Sequence, residues 1–376
     1  MTNPDLVAKR VAAETKQASI LNGFEFKLNG QPISVNQIDD KLEKSVDLNE
    51  RKAVWEASKQ SGPALKPNLI TLRDLRNGVA KEMKYPDYFS LEVAAYGMTT
   101  EEMLKMLEDW MTTLRPLYLQ LHTSAEQFYT GLGFSPLQQS FWERSDLYPL
   151  PPDSKRKKNT HASCWHVDLQ NDIRSLQSIE PNARWFFTAH HELGHGYYFK
   201  AYSRPEVPYL LRLGAAPGFH EGVGELIALA SSQVPYLQSR GVLPHEFNAD
   251  KTAFLLDDAL ARSVPFIYFS CGTMPHWEAD IYARNLPPDQ WNARWWKYVS
   301  DFQGIEPPSA RGEEFCDAAT KTHINDNPAY YYNYAFATVF QFQLHDYIAR
   351  KILHQPPQSC NYADNKEVGT WLNNIL

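Results

Sequence analysis

The sequence predicts a mainly α-helical protein with minor β structure, and three observations lead there. The run from Arg184 to Lys200 contains no proline and can be one helix. From Phe219 the chain carries an apolar stripe at Val223, Leu226, Ile227 and Ala230, the spacing of a helix face. Strand signals are few. In chain order the candidate helices are Pro4–Leu21, Asn49–Lys59, Pro67–Met83 and Thr100–Tyr129. Arg184–Ala201, Phe219–Ser232, Pro244–Tyr268, Asp289–Phe302 and Tyr330–Leu353 follow, the last with apolar residues at helical spacing. Thr99-Thr100-Glu101-Glu102 ahead of Met103 is a helix start. Gly23–Leu28 and Gln31–Val35 read as a hairpin across Asn29-Gly30.

A chain of 376 residues is long enough for one large or two ordinary domains. No proline- or glycine-rich linker, repeat or low-complexity tract divides it, so one domain over 1–376 is expected. A net charge of -7 implies no basic surface and argues against nucleic acid. The basic run Lys155–Lys158 is brief and reads as a solvated turn. Cys164, Cys271, Cys316 and Cys360 form no Cys-x-x-Cys pair and suggest no metal site. No signal peptide or membrane-spanning run is evident. Tryptophan and tyrosine are plentiful, as a peptide-binding cleft would use, though cores use them too.

His191-Glu192-Leu193-Gly194-His195 carries the chemistry. Residues four apart on a helix point to one side, so the two imidazoles can grip one zinc ion. The glutamate between them can take a proton from a water on that zinc. The same motif also occurs on ordinary helices. Here aromatic flanks, Trp185-Phe186-Phe187 and Tyr197-Tyr198-Phe199, suit a helix buried on most sides. Two histidines and a glutamate buried there are costly unless paired or bound to metal. His190 points elsewhere and reads as a core histidine or as support for a ligand.

A catalytic zinc needs a third protein ligand. Glu221 and Glu225 lie four apart on the next helix, hence on one face. Glu221 is assigned as the third ligand, with Glu225 orienting a zinc-bound histidine from behind. An acidic pair on a solvated face is the alternative. Nearby Gly218, Gly222 and Gly224 speak against it, because glycines weaken a helix and permit close backbone approach. Glu206 is the rival ligand, between two prolines in a loop.

His191–His195 followed by Ala216-Pro217-Gly218-Phe219-His220-Glu221 resembles the angiotensin-converting enzyme family of zinc peptidyl-dipeptidases, which are gluzincins. His161-Ala162-Ser163-Cys164-Trp165 and His323, Tyr331, Tyr334 and Gln341-Phe342-Gln343 match in the same order. The resemblance covers roughly Glu126 to Tyr347 well, and its wording looks more like the bacterial members. It implies one large helical metallopeptidase domain, a zincin with two helical halves flanking a deep central cleft. It implies one zinc on His191, His195 and Glu221, with Glu192 as general base and acid. His323 and Tyr334 match the pair that stabilises the tetrahedral intermediate. Lys321 and Tyr331 match groups that hold a substrate's C-terminal carboxylate, and His161 and Ala162 a segment that bonds the peptide backbone like an added strand. Without the resemblance, Tyr330-Tyr331-Tyr332-Asn333-Tyr334 reads as aromatic core.

The expected activity is therefore release of C-terminal dipeptides from peptides with a free carboxylate. The alternatives are a zinc carboxypeptidase removing single residues, or an impaired zinc-bound scaffold that binds peptides. The chain departs from the family in length: between Pro116–His122 and Glu126–Phe128, members carry several dozen more residues. It also ends at Leu376, where the family continues through further helices. Asn333 stands where many members have the arginine that binds an activating chloride, which argues against chloride dependence. The family works outside the cytoplasm, so a secreted or periplasmic location is expected. The family's disulfide partners are missing, so the four cysteines are expected to be free.

Overall fold

The computed structural model describes residues 3–107, 109, 132, 134–135, 137–150, 156, 158–179, 183–239, 243–247, 250, 258–362 and 364–376. These residues are mainly helical, with two short antiparallel sheets of two strands each. The chain divides into two compact units. One takes in Met1–Thr112, Lys155–Lys158 and Tyr268–Tyr332; the other takes in Thr113–Ser154, Asn159–Ile267 and Asn333–Leu376.

In the first unit, helix Pro4–Gly23 starts on a proline, with the Asn3 side chain accepting from the Asp5 amide. It packs along helix Gly62–Glu82. A buried polar network sets their register: Asn68 donates to the Ala13 carbonyl and to Gln17, and Gln17 donates to the Leu65 carbonyl. Gly62–Glu82 begins five residues before the expected Pro67. Pro67 removes one backbone bond from the helix interior. Burial of Leu65, Leu69 and Leu72, each 0% exposed, offsets that loss.

The expected hairpin forms across Asn29-Gly30, both with positive φ (51° and 79°), as a two-residue left-handed turn needs. Its strands are only Lys27–Leu28 and Gln31–Pro32. Val35 starts helix Val35–Lys44 instead of ending a strand. Ser34 and Gln37 exchange side-chain-to-backbone bonds there, and that capping box outcompetes the second strand. Thr99 and Glu102 form the same reciprocal cap for a helix described over 100–107 and at 109; the other residues of the expected Thr100–Tyr129 lie outside the described residues. Lys155 and Lys157 of the basic run, and the 116–128 junction, lie outside them too. Trp291–Tyr298 is shorter than expected, because 3-10 turns precede it and wider π-type turns follow.

In the second unit, helix Ala183–Tyr202 packs against helix Pro217–Ser231, which begins on Pro217. Leu226, Ile227 and Ala230 of the predicted stripe are buried in a core with Tyr197, Ile348 and Leu372. A hairpin without a clear sequence signal, Ser163–His166 with Ile173–Leu176, lies against the first of these helices. The Asp168 carboxylate organises its loop by accepting from the amides of Gln170, Asn171 and Asp172. The expected Pro244–Tyr268 helix is corrected. Residues 244–247 form a turn, 251–257 lie outside the described set, and Asp258–Ser263 is π-helical before Val264–Ile267. Pro265 cannot donate to the ladder, and the widened turns before it accommodate that loss. Tyr332–Tyr347 and a capped helix Lys366–Ile375 complete the chain, the latter also unforeseen. Among the described residues no helix is long and apolar enough to cross a membrane.

Candidate functional site

Helix Ala183–Tyr202 is wedged into its unit by Trp185, Tyr197 and Tyr198, all buried. That burial carries His191 and Glu192 inward with it, leaving them 9% and 5% exposed. The His191 and His195 rings lie edge to face, with their Nε2 atoms 3.1 Å apart. Glu221 reaches them from helix Pro217–Ser231. Its Oε2 is 3.2 Å from His191 Nε2 and 3.5 Å from His195 Nε2. One ligand atom from each of the three lies within 4.8 Å of the others, so the group could hold a metal ion. Glu206, the rival, is exposed in a turn. His190 is half-buried with Nδ1 3.1 Å from the Phe186 carbonyl, and burial pushes its pKa down to about 4.

Both imidazoles have a polar group behind them. His191 Nδ1 is 3.2 Å from Glu225 Oε1, within ion-pair reach but without hydrogen-bond geometry, so the two glutamates face one histidine and are not a solvated pair. Arg262 flanks Glu225 at 3.9 Å. His195 Nδ1 is backed by His220 Nδ1 at 2.7 Å. Sequence spacing assigns His220 no role. Adjacent to Glu221, it does not share that residue's helix face, and only the crossing of the two helices brings it to His195.

Burial alone would lower the His191 pKa, yet the carboxylates of Glu221 and Glu225 hold it well above the usual imidazole range. Burial would raise that of Glu221, but His195 and His191 hold it well below the usual carboxylate range. Glu192 differs. Burial raises its pKa against the pull of the neighbouring imidazoles, and its Oε2 is buried without a hydrogen-bond partner among the described residues. A carboxylate that is desolvated and only partly satisfied is the more basic one, as a proton acceptor should be.

Gly224 sets the approach of the two helices. A Cβ there would lie 2.9 Å from His191 Nδ1 and 3.0 Å from the His191 carbonyl oxygen, so the imidazole would have to move. Gly224→Ala should therefore weaken metal binding by about tenfold to a hundredfold, even though alanine is the better helix former. Competition with a chromophoric chelator measures this; unchanged affinity would show that the ring does not depend on the glycine.

The remaining predicted residues fall in two places. In the same unit as the histidines, exposed His161 and half-buried Ala162 lead directly into strand Ser163–His166, whose only strand partner among the described residues is Ile173–Leu176. Tyr334 is half-buried there, its ring edge-on to Phe266 at 5.8 Å. In the other unit the fold gathers Lys321, His323 and Tyr331. The Lys321 ammonium sits 5.0 Å over the Tyr331 ring, and the His323 ring meets that ring at 4.8 Å. Burial lowers the Lys321 pKa to about 8, against the pull of Asp326. Asn333 is buried. All four cysteines are free.

Comparison with known proteins bears on this arrangement. A peptidase family model described as angiotensin-converting enzyme matches in two blocks, residues 15–124 and 123–376. The blocks meet where the resemblance puts the shortened segment. The chain is 33% identical over 264 residues to the angiotensin-converting enzyme of Theromyzon tessulatum, covering 69% of this chain and 41% of that protein. It is 34% identical over 257 residues to that of Mus musculus and 33% identical over 257 residues to that of Bos taurus, each covering 67% of this chain and 19% of the other. The chain thus spans less than half the length of these relatives. With the family model matched along nearly its whole length, the chain belongs to the angiotensin-converting enzyme family of peptidases.

Proposed function

We propose that this protein is a zinc metallopeptidase that cleaves peptides near a free C-terminus and releases C-terminal dipeptides. The convergence of His191, His195 and Glu221, with buried Glu192 beside them on the same helix turn, carries the reading. Two imidazole nitrogens and one carboxylate oxygen are a donor set of the catalytic zinc type. Bound there, zinc would supply Lewis acidity that activates a water and polarises a carbonyl. Glu192 takes the proton of the attacking water and returns it to the leaving amine. His323 and Tyr334 donate to the developing oxyanion.

Lys321 and Tyr331 hold the substrate's terminal carboxylate. Burial costs the Lys321 ammonium its hydration, and an anionic partner compensates that loss. His161 and Ala162, at the head of a strand with one edge paired, would bond an extended peptide in exchange for local bonds, since the His161 amide now donates to Asn159 Oδ1 and the Ala162 carbonyl lies 2.8 Å from the His161 ring. In this reading the chain is one peptidase domain. With asparagine at 333, chloride activation forms no part of it. In this reading, supported by the family resemblance, the protein works outside the cytoplasm.

The test is zinc-loaded protein incubated with a peptide bearing a free C-terminus and with its amide. Dipeptide release from the free acid alone is expected. Single-residue release would replace the reading with a carboxypeptidase. Cleavage of neither, with about one zinc bound per chain, would leave a peptide-binding scaffold.

A further inference from the structure

We infer that His220 is a positioning residue for the metal site, and that it works as a neutral hydrogen-bond acceptor for His195. The inference rests on the reading of His191, His195 and Glu221 as metal ligands. Two ring nitrogens 2.7 Å apart, His195 Nδ1 and His220 Nδ1, can share only one proton between them, so one donates and the other accepts. The direction follows from the rest of the ring. His195 Nε2 faces His191 Nε2 at 3.1 Å and the Glu221 carboxylate at 3.5 Å, and must present its lone pair there to ligate. The His195 proton is then on Nδ1. His220 Nδ1 accepts it, which leaves the His220 proton on Nε2, the nitrogen facing Tyr202 Oη at 3.4 Å.

The surroundings suit a neutral acceptor. The His220 ring is enclosed by Tyr198 and Phe199, both with centroids at 4.6 Å, and by Tyr202. The two ligand histidines are therefore supported unequally. His191 has the Glu225 carboxylate behind it and His195 has an imidazole. Glu192, Glu221 and Glu225 already crowd the centre with carboxylates. A neutral acceptor fixes the tautomer and tilt of His195 without adding a further negative charge to repel them.

Zinc affinity by chelator competition, together with long-range 15N–1H NMR of histidine-labelled, zinc-loaded protein, tests this. His220→Phe keeps a ring and removes the acceptor; His220→Asn puts an amide oxygen near the position of Nδ1. His220→Phe should lose about tenfold to a hundredfold in zinc affinity, with His220→Asn within about threefold of wild type. The wild-type spectrum should show His220 neutral with its proton on Nε2. Unchanged affinity in His220→Phe, an equal loss in both variants, or a proton on His220 Nδ1 would each overturn the proposal while the metal site stands. The spectrum decides even where a variant fails to fold. Wild-type protein that does not bind zinc would instead overturn the metal reading, and this proposal with it.

Discussion

Glu192→Gln should lower peptide hydrolysis by about a thousandfold or more, within the range lost when a positioned acid–base group is removed, and should leave zinc affinity nearly unchanged. Glutamine matches glutamate in size, so the burial of residue 192 at 5% exposure is preserved and the helix should not repack. The change removes the one carboxylate of the cluster whose pKa is raised, because there burial outweighs the pull of the imidazoles, and hence the one most ready to accept a proton near neutrality. Glu221 and Glu225 cannot substitute for it, because both are already paired with imidazoles that hold their pKa values down. The decisive pair of measurements is turnover and chelator-competition affinity on the same preparation. A variant that retained more than about a tenth of wild-type turnover would remove Glu192 from the mechanism. One that lost zinc as well would show that it supports the metal rather than the chemistry.

Glu221→Gln should have the opposite profile: zinc affinity falls more than about a hundredfold, and the rise in melting temperature on adding zinc disappears. A ligand at a hundred times its Kd stabilises a fold by about 2.7 kcal/mol, so the wild-type shift should be easily seen. The amide cannot supply the anionic oxygen that both Nε2 atoms face. The same substitution exposes the proton linkage. In protein treated with chelator, His191 has a raised pKa, so its pairing stabilises fully below an unfolded value of about 6.5 and is lost as pH rises through the folded value. Glu221 has a lowered pKa, so its share is present above about 4.3 and lost as pH falls through its folded value. The excess stability of chelator-treated wild type over Glu221→Gln should therefore peak between about pH 4.5 and 6.5 and shrink on the alkaline side. Zinc must displace the His191 proton, so wild-type zinc affinity should climb as pH rises through that raised pKa. An affinity independent of pH between 6 and 8 would mean His191 is not a ligand.

The legible parts of this protein are those where a short spacing dictates a geometry. Four residues make just over one helical turn, so His191 with His195, and Glu221 with Glu225, could be paired from the sequence alone. Asn29-Gly30 announced its left-handed turn, and Thr99 with Glu102 its helix start, because each rests on bonds closed within a few residues. Helix ends were misjudged where two local signals competed. Ser34 and Gln37 overrode a strand, and burial of Leu65, Leu69 and Leu72 carried a helix through Pro67.

By itself, then, the sequence determined the helical class and pointed to His191, His195 and Glu221 as a candidate metal trio with Glu192 as the proposed base, since these readings follow from periodicity and residue chemistry. Only the tertiary structure decided what stands behind the trio. That His220 backs His195, that Gly224 admits the His191 ring, and that Lys321, His323 and Tyr331 gather in one unit all depend on how elements cross. Crossing is set by side-chain packing summed over many contacts remote in sequence, and no spacing of residues along one helix encodes it.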